Sequence, residues 1–214
     1  MIEVRMFTVG MVQENSFLVW PQGGDRAVIV DPGDEAPRLL QAIEGAGVTL
    51  DAILLTHTHF DHVGAVAPIA RATGAPVYCP RVEVPVLQDV MAYVPWPGFG
   101  PFESWDPEET VEGGEILELA ALTLDVVSTP GHSPGHVTYA VRGEQALFSG
   151  DVLFQGSVGR TDLPGGDGPT LLRSIATLLD RFDDEARVYP GHMGLTTLGA
   201  ERASNPFLTA LARR

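Results

Sequence analysis

One run of residues constrains this chain more than any other: Thr56-His57-Thr58-His59-Phe60-Asp61-His62, directly after the apolar stretch Ala52-Ile-Leu-Leu. An apolar stretch that short reads as a buried strand. In extended chain, positions two apart share a face, so His57 and His59 point the same way and can chelate one cation. Asp61 and His62 then open a helix, which aims them at a neighbouring point. Lone histidines are usually core or surface residues with satisfied hydrogen bonds, but a cluster this dense is a ligand pattern. The other candidates share one placement. His132 lies in Ser128-Thr-Pro-Gly-His132-Ser-Pro-Gly-His136, past an apolar strand 122–128; Asp151 follows Ala146-Leu-Phe-Ser-Gly150; and His192 ends Tyr189-Pro-Gly-His192. Each sits at the C-terminal end of a strand, where layered α/β proteins gather their sites. His136 fits that position less well and is read as supporting the loop or opening the next strand.

The rest of the pattern supplies the scaffold. Residues 2–9, 14–20 and 26–31 are short apolar or alternating runs separated by turn residues (Gln13-Glu14-Asn15 and Pro21-Gln22-Gly23-Gly24), which predicts an antiparallel meander whose third strand is buried on both faces. Helices are expected over 36–46, closed by Gly45 and Gly47, and over 61–73, closed by Gly74. Strands are expected at 52–56 and 77–79, then at 115–119, 122–128, 137–141 and 145–149. A helix over about 170–182, a strand 186–189 and a short helical tail complete the chain. Gly165-Gly-Asp-Gly168 reads as the turn into that late helix. Two β-rich halves repeat one rhythm without a sequence repeat or low-complexity linker, so the 214 residues are expected to form a single α/β domain.

Composition excludes several functions. The formal charge is −15, from 13 Lys+Arg against 28 Asp+Glu, and no cationic run exists, which argues against nucleic acid and anionic membrane surfaces. All 13 cations are arginine. Without lysine, Schiff-base catalysis and a Walker-type phosphate loop are excluded. The start, Met1-Ile-Glu-Val-Arg, has no basic region before an apolar block, and no uncharged apolar run is long enough to span a bilayer, so the expected location is cytoplasmic. The single cysteine, Cys79, agrees with a reducing compartment and is read as a small core residue.

Taken in order, Thr-His-x-His-x-Asp-His, Pro-Gly-His, Gly-Asp and Gly-His resemble the metallo-β-lactamase superfamily. Within it the chain is most similar to the compact bacterial members of the glyoxalase II group, through Gly131-His-Ser-Pro-Gly-His136, Phe148-Ser-Gly-Asp151-Val-Leu-Phe154, Gly156-Ser-Val-Gly-Arg160-Thr-Asp-Leu163 and Asn205-Pro-Phe207. The resemblance implies a four-layer αββα sandwich with two metal positions at one edge. It implies His57, His59 and His132 at the first position, Asp61, His62 and His192 at the second, and Asp151 bridging both, with Asp61 also catalytic. It also implies that Arg160 takes the place of a glutathione-gripping lysine. About twenty residues follow His192, so the cationic contacts of a C-terminal helical domain are not expected. Gly159-Arg160-Thr161-Asp162 also looks like the motif of persulfide dioxygenases, which share the fold but hold one iron on two histidines and an aspartate.

Chemistry independent of the family agrees. Imidazoles with a few carboxylates suit zinc, with iron or manganese as alternatives, and this donor set exceeds one tetrahedral ion, so up to two ions are expected. A water bridging two cations ionises far below its bulk pKa of about 15.7, which makes a hydroxide nucleophile. The expected substrate is a small anionic thioester such as an S-acylglutathione, because a thiolate of pKa about 8.5 departs without a proton donor. A closed structural site would be rich in cysteine, which argues against a non-catalytic metal-binding module. Arg160 reads either as a substrate contact or as a surface partner of Asp162 or Asp167. Asp31 is expected to brace the metal loop through the backbone. The aromatic, Pro/Gly-rich stretch 95–107 reads as a lid or as a patch buried in a homodimer.

Overall fold

The computed structural model describes residues 1–209. Six strands form the first sheet in the spatial order of the chain: β1 (Ile2–Val9), β2 (Glu14–Pro21), β3 (Arg26–Val30), β4 (Thr49–Leu54), β5 (Val77–Pro80) and β6 (Glu109–Val111). The first three make the expected antiparallel meander, and β3 through β6 run parallel. The second sheet holds β7 (Ile116–Leu119), β8 (Leu122–Ser128), β9 (Val137–Val141) and β10 (Ala146–Gly150). Beyond the small hairpin β11 (Leu153–Phe154)/β12 (Ser157–Val158), β13 (Arg187–Pro190) and β14 (Thr196–Thr197) complete it, in the order β14-β13-β10-β9-β8-β7.

Period-two alternation decides what each sheet face meets. On β3, Ala27 and Ile29 face the outer helices α1 (Ala36–Ala46) and α3 (Val66–Thr73), joining Leu39, Ile43 and Ile69. Val28 and Val30 face the other sheet and pack with Leu124, Val126, Tyr139 and Phe148. The far side of the second sheet buries Leu147 and Val188 against Leu171, Ile175 and Leu178 of α5 (Gly168–Arg181) and Leu198 of α6 (Leu198–Ser204). Three apolar clusters between four layers make the αββα sandwich. Burying each such leucine or isoleucine contributes about 2 kcal/mol, so tertiary packing rather than propensity holds α5 in place.

Several boundaries differ from the periodicity. The helix expected over 61–73 is two: α2 (Phe60–Val63) and α3, broken at Gly64-Ala65. There the Ala65 N–H bonds the Pro32 carbonyl, and a Cβ on Gly64 would collide with the Gly33 carbonyl. The chain breaks its helix to let the loop after β3 approach. The strand expected at 52–56 starts earlier and ends at Leu54, because the Thr56 N–H turns aside to Asp31 Oδ1 at 2.7 Å. Gly45 lies within α1, and Gly47 closes it in the left-handed region (φ 69°). The expected turn after Gly165 ends on Asp167, whose carboxylate caps α5 by accepting the Thr170 N–H at 2.8 Å. Short elements such as β6, β11, β12 and the helix α4 (Val84–Leu87) carry too little periodicity to be read from sequence. A last helix, α7 (Pro206–Thr209), follows α6.

Candidate metal centre

Four loops converge at the edge where the sheets meet, and each leaves the C-terminal end of a strand: β4 delivers His57 and His59, β8 His132, β10 Asp151 and β13 His192. Asp61 and His62 follow on α2. Every ligand candidate named from sequence therefore lies in one cluster. His57 Nε2 and His132 Nε2 lie 3.1 and 2.7 Å from His59 Nδ1. Asp61 Oδ2 is 3.8 Å from His62 Nε2 and 3.2 Å from His192 Nε2. Asp151 stands between the two groups, Oδ1 3.4 Å from His62 and Oδ2 3.4 Å from His132 and 3.6 Å from His192. Two nitrogens on one tetrahedral zinc, each about 2.0–2.1 Å from it, lie about 3.3 Å apart, so these spacings match shared coordination.

The outward ring nitrogens set the tautomers. Thr56 donates its hydroxyl proton to Asp31 Oδ2 (2.6 Å), so its oxygen accepts from His57 Nδ1–H at 3.1 Å. His132 Nδ1–H donates to the Arg160 carbonyl (2.7 Å), His62 Nδ1–H to Asp31 Oδ2 (3.1 Å) and His192 Nδ1–H to the Gln13 carbonyl (3.2 Å). Four rings thus turn their Nε2 atoms toward the centre, the orientation of imidazole ligands. His136 is committed otherwise. Its Nδ1 meets Thr129 Oγ1, and its Nε2 accepts the Asp151 backbone N–H at 3.1 Å, so it orients the central aspartate.

The donor set fits divalent ions on a second ground. His62 Nε2 and Asp151 Oδ1 are buried without a hydrogen-bond partner. Buried polar atoms left so cost about 1–3 kcal/mol each, a penalty that a cation between them removes. Asp31 could pass for a ligand by proximity to His57 and His62. Its carboxylate is already engaged by Thr56 N–H, Thr56 Oγ1 and His62 Nδ1, so it braces the loop, as expected.

Electrostatics divide the cluster. Burial, reinforced by neighbouring histidines, pushes His57 and His136 well down and His59 to about 4. Burial also opposes charge on His62 and His192, but the carboxylates of Asp151 and Asp61 outweigh it and hold both above the ordinary histidine value. The reverse holds for Asp151 and Asp61. Burial raises them, and the adjacent histidines, His62 first, overcome it and hold both carboxyls below the usual range.

Three supporting residues were invisible in the sequence. Asn15 donates its backbone N–H to the Gly191 carbonyl (2.7 Å) and its side-chain N–H groups to the carbonyls of Pro190 (3.1 Å) and Met193 (2.9 Å), clamping the His192 loop. That loop comes close enough that a Cβ on Gly191 would strike Asp151 Oδ1. Buried Glu83 accepts from Thr58 Oγ1 (2.9 Å), Ser133 Oγ (2.7 Å) and the Gly135 N–H (2.8 Å), tying two ligand loops to one carboxylate. Glu14, buried beside His62, is pushed well up by desolvation. The only signal for Glu14 and Asn15 was a polar start to an apolar strand, which reads as a turn.

The cluster floors a cleft of about 950 Å³. Arg160 lies on its wall, its guanidinium 5.5 Å from the Trp96 ring and bidentate on Asp162 (2.7 and 2.8 Å). Stretch 95–107 is a packed wall: Phe99, Phe102 and Trp105 lie against the first core, and the Phe60 ring meets Trp96, Phe99 and Phe102. Cys79 is buried in that core, and burial raises its thiol. Among the described residues no helix is long and apolar enough to cross a membrane.

The chain belongs to the metallo-beta-lactamase superfamily, whose model matches residues 9–192. It is thus a metallo-hydrolase of that superfamily. Hydroxyacylglutathione hydrolase GloC of Haemophilus influenzae is 36% identical over 211 residues, which span 98% of this chain and 99% of that protein. The crystal structure of BLEG-1 B3 metallo-beta-lactamase is similar with a TM-score of 0.91 and 39% identity, over 97% of this chain and 100% of the other. That of TTHA1623 in a di-iron-bound form gives 0.85 and 43%, over 96% and 100%.

Proposed function

We propose that this metallo-hydrolase cleaves thioesters of the S-acylglutathione type. His57, His59 and His132 hold one ion, Asp61, His62 and His192 a second, and Asp151 lies between them. Zinc suits the donors, and iron or manganese also do. When bound, such ions lower the pKa of a water toward neutrality and stabilise negative charge developing on a carbonyl oxygen. Asp61 serves as a ligand and as the carboxylate that accepts a proton from the attacking water. Arg160 meets a carboxylate of the thiol portion.

One observation carries the choice of thioester. Outside the cluster, the titratable side chains among the described residues of the cleft are Glu83, Tyr93 and Arg160. Glu83 is consumed by three donors, Tyr93 stands exposed, and Arg160 keeps its proton. Outside the cluster no buried acid is placed to protonate an alkoxide or amine, whereas a thiolate needs none. The similarity to GloC supports the same choice. The second group of ligands favours two ions over a single iron.

Steady-state kinetics on one acyl group carried as a glutathione thioester, an oxygen ester and an amide, with a β-lactam alongside, test this. Thioester kcat/KM is expected to exceed the others at least a hundredfold, the range of one general-acid contribution of about 10²–10⁴. Comparable oxygen-ester or β-lactam turnover would overturn it. Oxygen consumption with a persulfide, on protein holding one iron, would establish the dioxygenase instead.

A further inference from the structure

We infer that the cleft takes thioesters whose acyl group is an apolar chain of several carbons, seated on the wall formed by residues 82–96, in preference to short hydroxyacyl groups. This deepens, and rests on, the reading of the site as a thioester hydrolase. The wall is one continuous piece of chain with two apolar faces. Leu87 and Val90 are buried in the first core, Val90 also touching the cleft. Val82, Pro85, Val86, Tyr93 and Trp96 line the cleft instead, with Val82, Tyr93 and Trp96 exposed by 61, 55 and 40%. Met193, beside His192, joins the lining and is 56% exposed. It holds a left-handed backbone (φ 69°), a conformation that costs a residue with a Cβ about 1–2 kcal/mol.

Two features make this a binding wall and not a loose flap. Glu83, in the middle of the segment, is bonded to Thr58 between His57 and His59, and to Ser133 next to His132, so the wall is registered to the ligand loops themselves. The cleft is also concave and floored by the His/Asp cluster, and its volume of about 950 Å³ lies in the range of small-molecule sites, about 300–1,000 Å³. An occupant must bring its reacting bond to the His/Asp floor, which a carbonyl-linked chain does and a protein surface does not. Along Val82, Pro85 and Val86 no side-chain donor or acceptor is available to a hydroxyl, and a polar group desolvated there goes unpaired. An acyl chain removes apolar surface from water on both sides.

Two series test this with the intact, metal-loaded protein. In the first, kcat/KM is measured for glutathione thioesters from acetyl to hexanoyl, with lactoyl beside propanoyl. In the second, calorimetry gives Kd for S-methyl- to S-hexylglutathione, which are not hydrolysed. Each added methylene is expected to raise kcat/KM, and to tighten Kd, about fourfold. Lactoyl should fall below propanoyl. In the Val82→Asn/Tyr93→Ser double variant, altered at two exposed positions, both slopes should drop below about twofold per methylene. Flat slopes in wild-type protein, a lactoyl thioester that outpaces propanoyl, or slopes untouched by the double variant would overturn the assignment. If no thioester is turned over while the S-alkyl slope persists, the hydrolase reading fails and the apolar wall stands.

Discussion

The two groups of side chains proposed to hold ions lie side by side but are built on opposite electrostatic plans. In the first, His57 and His132 donate their outer N–H to a hydroxyl and a carbonyl, and burial keeps His57 and His59 neutral. In the second, Asp31, Asp61 and Asp151 surround His62, and carboxylates hold His62 and His192 protonated above their ordinary range. A cation entering the first group finds lone pairs ready. One entering the second must displace protons. Their assembly, by contrast, is alike: each takes two members from the run after β4 and a third from a loop of the second sheet, His132 after β8 or His192 after β13.

Removing one member of each group breaks the symmetry most strongly. A four-ligand zinc site contributes about 10–16 kcal/mol, so a lost ligand costs about 3 kcal/mol, more than a hundredfold in affinity. His57→Ala should abolish binding at the first position, and Asp61→Ala at the second, each depressing turnover to a similar degree. Elemental analysis alongside kinetics checks this, and an Asp61→Ala protein with one ion and full activity would end the two-ion scheme.

Asp31→Asn should weaken both positions, since its carboxylate holds His62 directly and His57 through Thr56. About ten- to a hundredfold is expected, the range for residues behind ligands. The directly held second position should lose more. Competition with a chelator resolves the two constants, and equal losses would show that Asp31 acts only on the shared loop.

Proton linkage sharpens the contrast. The unfolded chain takes up protons at His57, His59 and His136 near pH 6.5 that the folded chain refuses until about pH 4 at His59, so metal-free stability falls as pH drops through that window. His62 and His192 act in the other sense. Their raised values contribute stability that is complete below about pH 6.5 and is lost as pH climbs through the folded-state values. Affinity for the second ion should therefore rise with pH above neutrality, about tenfold per pH unit for each proton displaced, while the first stays flat. Calorimetric metal titrations at several pH values decide it, and parallel profiles would contradict the division.

A smaller effect is expected from Asn15→Ala, which deletes two N–H···O=C bonds worth about 1 kcal/mol each. Affinity for the second ion should fall about tenfold with the first unchanged. A loss of melting temperature without that selectivity would reduce Asn15 to a scaffold residue. The mildest change is Arg160→Ala. The guanidinium is half exposed and already paired with Asp162, whose carboxyl it lowers to about 2. KM for a glutathione thioester should rise no more than about fivefold, with kcat unchanged. No change, or an equal rise for an uncharged thioester, would remove Arg160 from substrate contact.

What was readable in advance was what local pattern encodes. His57, His59, Asp61 and His62 sit within one run, and His132, Asp151 and His192 each end an apolar strand, so residue type and position announced them before any contact was known. Alternation likewise announced the strands that carry them, and glycines the helix ends. The tertiary structure alone decided what holds these side chains. Asn15 clamps Pro190 across 175 positions and Glu83 reaches Ser133 across 50, and a polar residue in a short turn or next to a proline-rich stretch bears no local mark of a partner so distant. Arg160 shows the same limit on a shorter scale, for only packing chose Asp162 over Asp167 and laid its guanidinium on Trp96. Periodicity records which face of an element is buried, because burial is a property of single residues. Which buried groups meet is a property of pairs, set when the layers close.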